Sequence, residues 1–340
     1  MTDLTASRSL PVAGTQGEAS MNYDRLGFPI PPEFDRPADD PAASDRRLRD
    51  AGPRPPRTGA GPAKRILLVA VLLGLIVPAL VAPAVMPAVR LGVMQWSLER
   101  AILREGRGAL AAAIDDTTRA IAWGGPLLED DPAEKSRLLC WRAMLRIENR
   151  DASAGLKDAA LAASIAPTAV QPQRVMALAH VIRGDADAAL VAAETAVELA
   201  GPGNPEARNH RAYIRALVGR ELDAALDDIE AALEGSGEGS PEFLDTRGFV
   251  LHLLGRQQEA LADLNAAIDA TQEQRRRLLL LSGHISDGEL AYRLRTADHG
   301  LAVMHHHRGL ACQALGLHGQ AEQDLEVAEK KGFDPARGVF

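Results

Sequence analysis

A recurring pattern of small residues and aspartate constrains this 340-residue chain more than any other feature. The pattern is small-x-x-Asp-x-x-x-Ala, and spacings of three and then four residues place its three positions on one face of a helix. It occurs at Ala113, Asp116 and Ala120; Gly155, Asp158 and Ala162; Ala225, Asp228 and Ala232; Ala260, Asp263 and Ala267; and Ala321, Asp324 and Ala328. A sixth copy keeps only the small residues, Ala189 and Ala196.

The distances between the copies predict the architecture. The final alanines, at positions 120, 162, 196, 232, 267 and 328, are separated by 42, 34, 36, 35 and 61 residues. A period near 34 is typical of a helix-turn-helix unit, which cannot bury its apolar face alone and must stack on its neighbours. We therefore predict an all-α chain that forms a right-handed helix-turn-helix solenoid of about six units.

Other positions within each unit resemble the tetratricopeptide repeat (TPR) family over about residues 94–335. The first helix carries a small residue at Ala101, Ala143, Ala177, Ala212, Gly248 and Gly309. A glycine between the helices is found at Gly108, Gly184, Gly219, Gly255 and Gly316, and Pro167 and Pro335 are similar to the prolines that end repeats. Large aromatic residues of the family pattern are mostly replaced by Leu, Ile or Ala. The resemblance implies a scaffold that binds a protein or peptide, without a cofactor.

An arginine accompanies the aspartate wherever the aspartate is present. The pairs are Arg100 with Asp116, Arg142 with Asp158, Arg211 with Asp228, Arg247 with Asp263, and Arg308 with Asp324, at separations of sixteen or seventeen residues. The sixth unit has Met176 and Ala192 at these positions and so loses both partners together. Joint loss indicates that the two side chains pair between the helices of a unit, in a structural role.

The N-terminal quarter differs in composition from the repeats. Residues 1–63 are rich in proline and glycine and show no sustained periodicity, so we expect a disordered cytoplasmic arm. Residues 66–89 carry no charge and include fourteen Leu, Ile or Val residues. A helix of that length is long enough to span a bilayer, although Pro78, Pro83 and Pro87 would kink it or end it early. We predict one transmembrane helix at 66–89 that places the chain in the lipid bilayer.

Basic residues on the two sides of this segment predict its orientation. The twenty residues before it contain seven Lys or Arg, whereas the twenty after it contain four. Since the more basic flank stays in the cytoplasm, the repeat domain is expected outside the cytoplasm, on a single-pass protein of the bacterial inner membrane. Cleavage near the sequence "APA" at 82–84 would instead give a secreted TPR binding protein.

The run His305-His306-His307 raises the question of a metal site. Successive helical residues point about 100° apart, so three adjacent histidines cannot converge on one ion. We interpret them as solvated or interface histidines and expect no metal and no catalytic residues. The net charge of −8 and the aromatic content of 4% also argue against a nucleic-acid partner.

The long interval before the last repeat predicts an elongated helical hairpin around 268–301. Its sequence keeps a helical composition, breaks at Ser282-Gly283 and restarts with Ser286 and Glu289 spaced as a capping box. We expect the hairpin to project from the solenoid, either as a longer packing surface or as a docking element for a partner.

First-helix residues are expected to line the concave face and to form the protein-binding groove. The candidates are Met144, Leu178, Asn209, Tyr213, Asp245, Phe249, His252, His306 and Leu310. This set is mixed and contains few cations, so a ligand held by its terminal carboxylate is not expected. The sequence thus favours a membrane-anchored scaffold for protein–protein interaction. An enzyme with a dispersed site in the groove is the alternative from another class.

Overall fold

The computed structural model describes residues 62–236 and 240–334, with side chains from residue 82 onward. These residues form twelve α-helices and no β-strand, so the all-α prediction is confirmed for this part of the chain. The helices are α1 (Pro62–Gly106), α2 (Leu110–Glu129), α3 (Pro132–Glu148), α4 (Ala152–Ile165), α5 (Val170–Ile182), α6 (Ala186–Ala200), α7 (Pro205–Val218), α8 (Leu222–Ser236), α9 (Pro241–Leu253), α10 (Gln257–Leu280), α11 (Asp287–Ala314) and α12 (His318–Lys330). Residues 1–61 of the predicted arm, and Pro335, lie outside the described residues.

Consecutive helices pair into hairpins, and each hairpin packs on the next, which gives a solenoid of helical hairpins. The small residues of the repeat lie where helices meet. Ala101, Ala143, Ala177 and Ala212 are fully buried, and a Cβ added to Gly248 would come within 2.7 Å of Leu264. Leucine and isoleucine side chains fill the space that remains, so the apolar core continues from one unit to the next.

Capping side chains mark the N-termini of several helices, and residues with positive φ mark the turns that follow the first helices. Asp131, Asp151, Asp185 and Asn204 each accept a hydrogen bond from the backbone N–H three residues later, at the N-termini of α3, α4, α6 and α7. The glycine predicted between the helices of a unit takes a positive φ in each case, as at Gly184 with +75°. In the second unit Arg150 occupies the equivalent turn with φ of +66°, a conformation that residues other than glycine rarely adopt.

Helix α1 is a single continuous helix from Pro62 to Gly106. Of the two effects that the sequence predicted for the prolines, a kink or an early end, the early end is wrong, because the helix continues through Pro78, Pro83 and Pro87 into the first repeat. Among the residues whose side chains are described, no helix is both long and apolar enough to cross a membrane. Residues 66–81 of the predicted transmembrane segment lie outside that set.

Helices α10 and α11 are longer than their counterparts, at 24 and 28 residues, and the turn between them spans 281–286. The hairpin projects only at its tip. The N-terminal half of α11, which is half-buried from Ala291 to His299, packs against α1. The expectation of a projecting hairpin therefore holds only for its tip, because α11 connects the last unit to the first.

Candidate functional site

The five predicted arginine–aspartate pairs join the two helices of their units. Four are bidentate: each arginine donates two hydrogen bonds to the carboxylate oxygens, at 2.7 and 2.7 Å for Arg142–Asp158, 2.7 and 2.6 Å for Arg211–Asp228, 2.6 and 2.7 Å for Arg247–Asp263, and 2.8 and 2.7 Å for Arg308–Asp324. Arg100 lies 3.4 Å from Asp116. The hydrogen bonds to the aspartates raise the pKa of Arg247 and Arg308, so these two guanidinium groups stay charged.

A second arginine reaches the same aspartate in three units. Arg104 lies 2.7 Å from Asp116 and Arg146 lies 2.7 Å from Asp158, and Arg215 lies 2.6 Å from Asp228. Each follows the first arginine by four residues, one helical turn, and therefore shares its face. The sequence contains this signal as Arg-x-x-x-Arg, but the second arginine was not among the predicted partners.

The first arginine of three pairs also contacts the preceding unit. An Nη atom of Arg142 donates to Thr118 at 3.3 Å, one of Arg211 donates to Glu194 at 2.8 Å, and one of Arg308 donates to Asn265 at 2.8 Å. All three acceptors lie two residues after the aspartate position of the unit before. Each of these arginines therefore fixes its own hairpin and the stacking of that hairpin on its neighbour.

The unit without the pair replaces it by apolar packing. Ala192 is buried, and Met176 packs against the core that α3 to α6 share. Removal of both charges leaves neither a carboxylate nor a guanidinium unpaired inside the unit, which explains why the two are lost together.

The three consecutive histidines have three different partners. His305 Nδ1 lies 2.8 Å from an oxygen of Asp324, and His307 Nδ1 lies 2.9 Å from an oxygen of Asp245 on α9. The His307 ring also stacks on Phe249 with centroids 4.0 Å apart, and the His306 ring stacks on Phe333 at 4.2 Å. In the described part of the chain no group of three or more His, Cys, Asp or Glu residues could hold a metal ion.

Burial changes the interpretation of this run. His305 and His307 are only 8% and 1% exposed, so of the two predicted alternatives, solvated or interface histidines, the solvated one is wrong for both. They are buried because Asp324 and Asp245 supply a hydrogen-bond partner inside the protein. For His306, burial lowers the pKa to about 4, with a further contribution from His307 and His252, while Asp245 acts in the opposite direction. For Asp324, burial raises the pKa, but the bonds from His305 and Arg308 outweigh it, so the pKa lies below its usual value.

The nine predicted groove residues lie on the first helices α3, α5, α7, α9 and α11, eight of them in two repeated registers and the ninth, His252, four residues after the small residue of α9. One row directly follows the first-helix small residue, and a second row precedes it by three residues. The first row is Met144, Leu178, Tyr213, Phe249 and Leu310, and the second is Asn209, Asp245 and His306. Met144, Asp245 and Phe249 are buried, whereas Leu178, Asn209, Tyr213, His252, His306 and Leu310 are partly exposed. The accessible part of the face is therefore smaller than predicted, because Asp245 and Phe249 hold His307.

Helix α11 forms a bridge between the two ends of the solenoid. A Cβ added to Gly106 of α1 would come within 2.6 Å of the Tyr292 backbone nitrogen and 2.7 Å of the Ala291 carbonyl carbon. Arg295 donates to Glu148 of α3 at 2.8 Å, and His299 lies 3.8 Å from the same carboxylate. We call these contacts of α11 with α1 and α3 the α11 bridge. No repeat signal in the sequence indicated it.

The two cysteines belong to the packed interior. Cys140 and Cys312 are fully buried and unpaired with each other. Burial, with a smaller contribution from the Asp158 charge, raises the pKa of Cys140 to about 12. Since the thiolate is the reactive form, Cys140 is not a nucleophile at neutral pH.

Several solved structures are similar to this chain. A thermophilic TPR protein of Thermus thermophilus is 21% identical with a TM-score of 0.43, and the match covers 60% of this chain and 98% of that one. A tetratricopeptide repeat protein from Parabacteroides merdae is 17% identical with a TM-score of 0.40, covering 72% and 94%. The APC/C hetero-tetramer Cut9–Hcn1 matches at 16% identity and a TM-score of 0.46, covering 66% and 39%.

All three TM-scores are below 0.5. No family model matches the chain, and no curated protein matches it. The class of protein, a TPR-like α-solenoid, therefore rests on the helices, contacts and repeat positions of this chain.

Proposed function

We propose that this chain is a non-enzymatic scaffold, anchored in a membrane, whose solenoid binds another protein on its inner face. The observation that supports binding is the repeated register of partly exposed side chains on consecutive first helices. Leu178, Tyr213 and Leu310 offer apolar contacts, and Asn209 and His306 offer hydrogen-bonding groups beside them. Apolar and aromatic anchors among polar groups are the composition of a protein-binding surface.

The charged side chains of the repeats support a structural role rather than a catalytic one. Asp158, Asp228, Asp263 and Asp324 are each held by a bidentate arginine, and Cys140 is buried with a raised pKa. A carboxylate that is fully occupied by guanidinium hydrogen bonds cannot act as a general base without losing those bonds. The proposal therefore assigns these residues to the architecture.

The anchor is supported by the uncharged sequence at 66–89 and by the continuity of α1 from Pro62 into the first repeat. In this proposal residues 1–63 stay in the cytoplasm, and the solenoid lies on the other side of the bacterial inner membrane. Protease added to intact spheroplasts should then digest the solenoid and spare the arm. The reverse pattern of protection would contradict the orientation, and release of the chain by alkaline washing of membranes would contradict the anchor.

Binding can be tested with a photo-reactive amino acid placed at Leu178 or Tyr213 of the full-length chain in cells. Matched controls carry it at Leu161 or Val191 on the second helices, where the side chains are 48% and 67% exposed. We expect the inner-face positions to cross-link one protein, identified by mass spectrometry, and the control positions not to do so. Equal cross-linking from both sets, or cross-linking only from the second helices, would rule out the inner face as the binding surface.

A further inference from the structure

One side of α1 exposes apolar side chains at heptad spacing. Val85, Val89 and Trp96 are 46%, 41% and 50% exposed, and a Cβ added to Gly92 would meet no heavy atom within 4 Å. Successive separations of four, three and four residues place these positions on one stripe of a helix. We call Val85, Val89, Gly92 and Trp96 the α1 seam.

Helix α2 packs on another side of α1. A Cβ added to Gly124 of α2 would meet the sulfur of Met94, and Arg104 lies 2.7 Å from Asp116. Neither Met94 nor Arg104 belongs to the heptad positions of the α1 seam. The seam therefore stays exposed although α1 packs along α2.

Further along α1, the same heptad positions already carry a parallel helix. Leu103 and Gly106 follow Trp96 by seven and ten residues and so continue the stripe. A Cβ on Gly288 of α11 would lie 3.7 Å from the Leu103 Cβ, and one on Gly106 would lie 2.6 Å from the Tyr292 nitrogen. Because the numbers increase together along both helices, α1 and α11 run parallel. Gly288 is the second residue of α11, so α11 covers this stripe only from about Leu103 onward.

A second copy of α1 in parallel offers complementary residues at the same levels. In such a pair each seam residue fits between residues of the facing helix. Trp96 of one copy then lies against Gly92 of the other, where the missing side chain leaves room for the indole ring. Val89 meets its own counterpart, and β-branched residues at this heptad position are typical of two-stranded packing. Within each chain the Arg100 guanidinium lies 4.2 Å from the centre of the Trp96 ring and fixes its orientation.

The heptad positions also continue into the uncharged segment of the sequence. They fall there on Leu68, Val71, Leu75, Pro78 and Ala82. From residue 68 to residue 96 they span about four heptads, a length over which an apolar heptad repeat is typical of paired helices. Glu99, the next position after Trp96, carries a charge and ends the apolar run on the side of the repeats.

We propose that α1 pairs in parallel with α1 of a second copy of this chain through the α1 seam, so that two solenoids are joined at their N-terminal ends. The parallel orientation rests on the anchor of the proposed function, which holds every copy of α1 in the same direction and at the same depth. Beyond Trp96 the two helices separate, because α11 takes up the stripe from Leu103 onward. The seam contains none of the inner-face residues, so each copy keeps its own binding surface.

The experiment compares two cysteine substitutions in the full-length chain in cell membranes. Val89→Cys lies in the seam, and Leu91→Cys is the matched control, because the two side chains are 41% and 42% exposed but point about 200° apart on the helix. The native Cys140 and Cys312 are buried and should stay reduced, which the parent chain checks. After mild oxidation, we expect Val89→Cys to give several-fold more disulfide-linked dimer than Leu91→Cys on a non-reducing gel.

A further substitution tests the contact of the tryptophan. In the Val89→Cys chain, Trp96→Ala should lower the cross-linked fraction several-fold, whereas Leu91→Ala should leave it unchanged. Both variants should keep the helical content of the parent, measured by circular dichroism. An unchanged cross-linked fraction in Trp96→Ala would contradict the seam. Equal cross-linking from Val89→Cys and Leu91→Cys, or a cross-linked band that contains a different protein, would also overturn it.

Alkaline washing of the membranes separates this inference from the proposed anchor. If the chain stays in the membrane but Val89→Cys forms no dimer, the seam is wrong and the anchor stands. If the chain is washed off and Val89→Cys still forms the dimer in solution, the anchor is wrong and the seam stands. Release of the chain without any dimer would contradict both proposals.

Discussion

The arginine–aspartate pairs join residues sixteen or seventeen positions apart, whereas the α11 bridge joins Gly106 to Tyr292, which are 186 positions apart. The pairs recur from unit to unit, and four of the five use charge-assisted hydrogen bonds of 2.6 to 2.8 Å. The bridge occurs once and depends on the close approach of two backbones. Local and repeated interactions therefore determine each hairpin and its stacking, while a set of contacts without any repeat determines how the two ends of the solenoid meet.

The largest effect should come from a methyl group at the bridge. Gly106→Ala would place a Cβ within 2.8 Å of the Tyr292 nitrogen and of two atoms of Ala291, two of them backbone atoms that cannot rotate away. We expect a loss of about 3 kcal/mol in the free energy of unfolding, since overpacking against backbone forces helices apart. Urea unfolding of the full-length chain, followed by circular dichroism, measures the loss.

A control for this change exists on the same helix. Gly92 has no heavy atom within 4 Å of an added Cβ. Gly92→Ala should leave stability unchanged or raise it by up to about 1 kcal/mol, because alanine favours a helix over glycine. Equal losses from the two variants would mean that the close approach of α1 and α11 does not stabilise the solenoid.

The next effect compares two of the repeated arginine–aspartate pairs with each other. Asp158→Ala leaves Arg142 and Arg146 without their common partner, whereas Asp263→Ala leaves only Arg247. We expect losses of about 2.5 and about 2 kcal/mol, and a smaller loss in Arg247→Ala/Asp263→Ala than the sum of its single changes. The exposed neighbour Asp227, changed to alanine, is the control and should have little effect. Additive losses in the double variant would show that Arg247 and Asp263 do not interact.

The third effect isolates the charge contribution to the bridge. Glu148→Gln weakens its bonds to Arg295 and His299, and the Glu148 and Arg295 side chains are only 15% and 21% exposed. We expect a loss of about 1 to 2 kcal/mol in urea unfolding. Arg150→Ala is the matched control, because its pair with Asp334 also links the second unit to the C-terminal end but is exposed, and should contribute less than about 0.5 kcal/mol. A larger loss from Arg150→Ala would reverse this ranking.

Sequence reasoning succeeded where the signal repeats and failed where it does not. The five pairs could be found because the unit with Met176 and Ala192 lacks both the arginine and the aspartate. Comparison of units within one chain therefore tested the pairing. The 61-residue spacing revealed longer helices in α10 and α11 but held no information about the destination of α11, since Gly106 and Glu148 look like ordinary helix residues. The same limit applies to His305 and His307, whose partners Asp324 and Asp245 lie 19 and 62 residues away.

The smallest effect is a pH dependence of stability that comes from His306 on α11. The pKa of His306 is lowered from its ordinary 6.5 to about 4, mainly by burial, so the folded protein disfavours its protonation. Its contribution to stability is therefore complete above pH 6.5 and is lost as the pH falls towards 4. Because the ring is partly exposed, we expect about 1 kcal/mol over this range. Between pH 7 and pH 4.5, His306→Gln should lose that much less stability than the parent chain, whereas His284→Gln, on the exposed turn, should behave like the parent. Parallel pH profiles for His306→Gln and the parent would show that burial of this ring does not make the solenoid sensitive to acid.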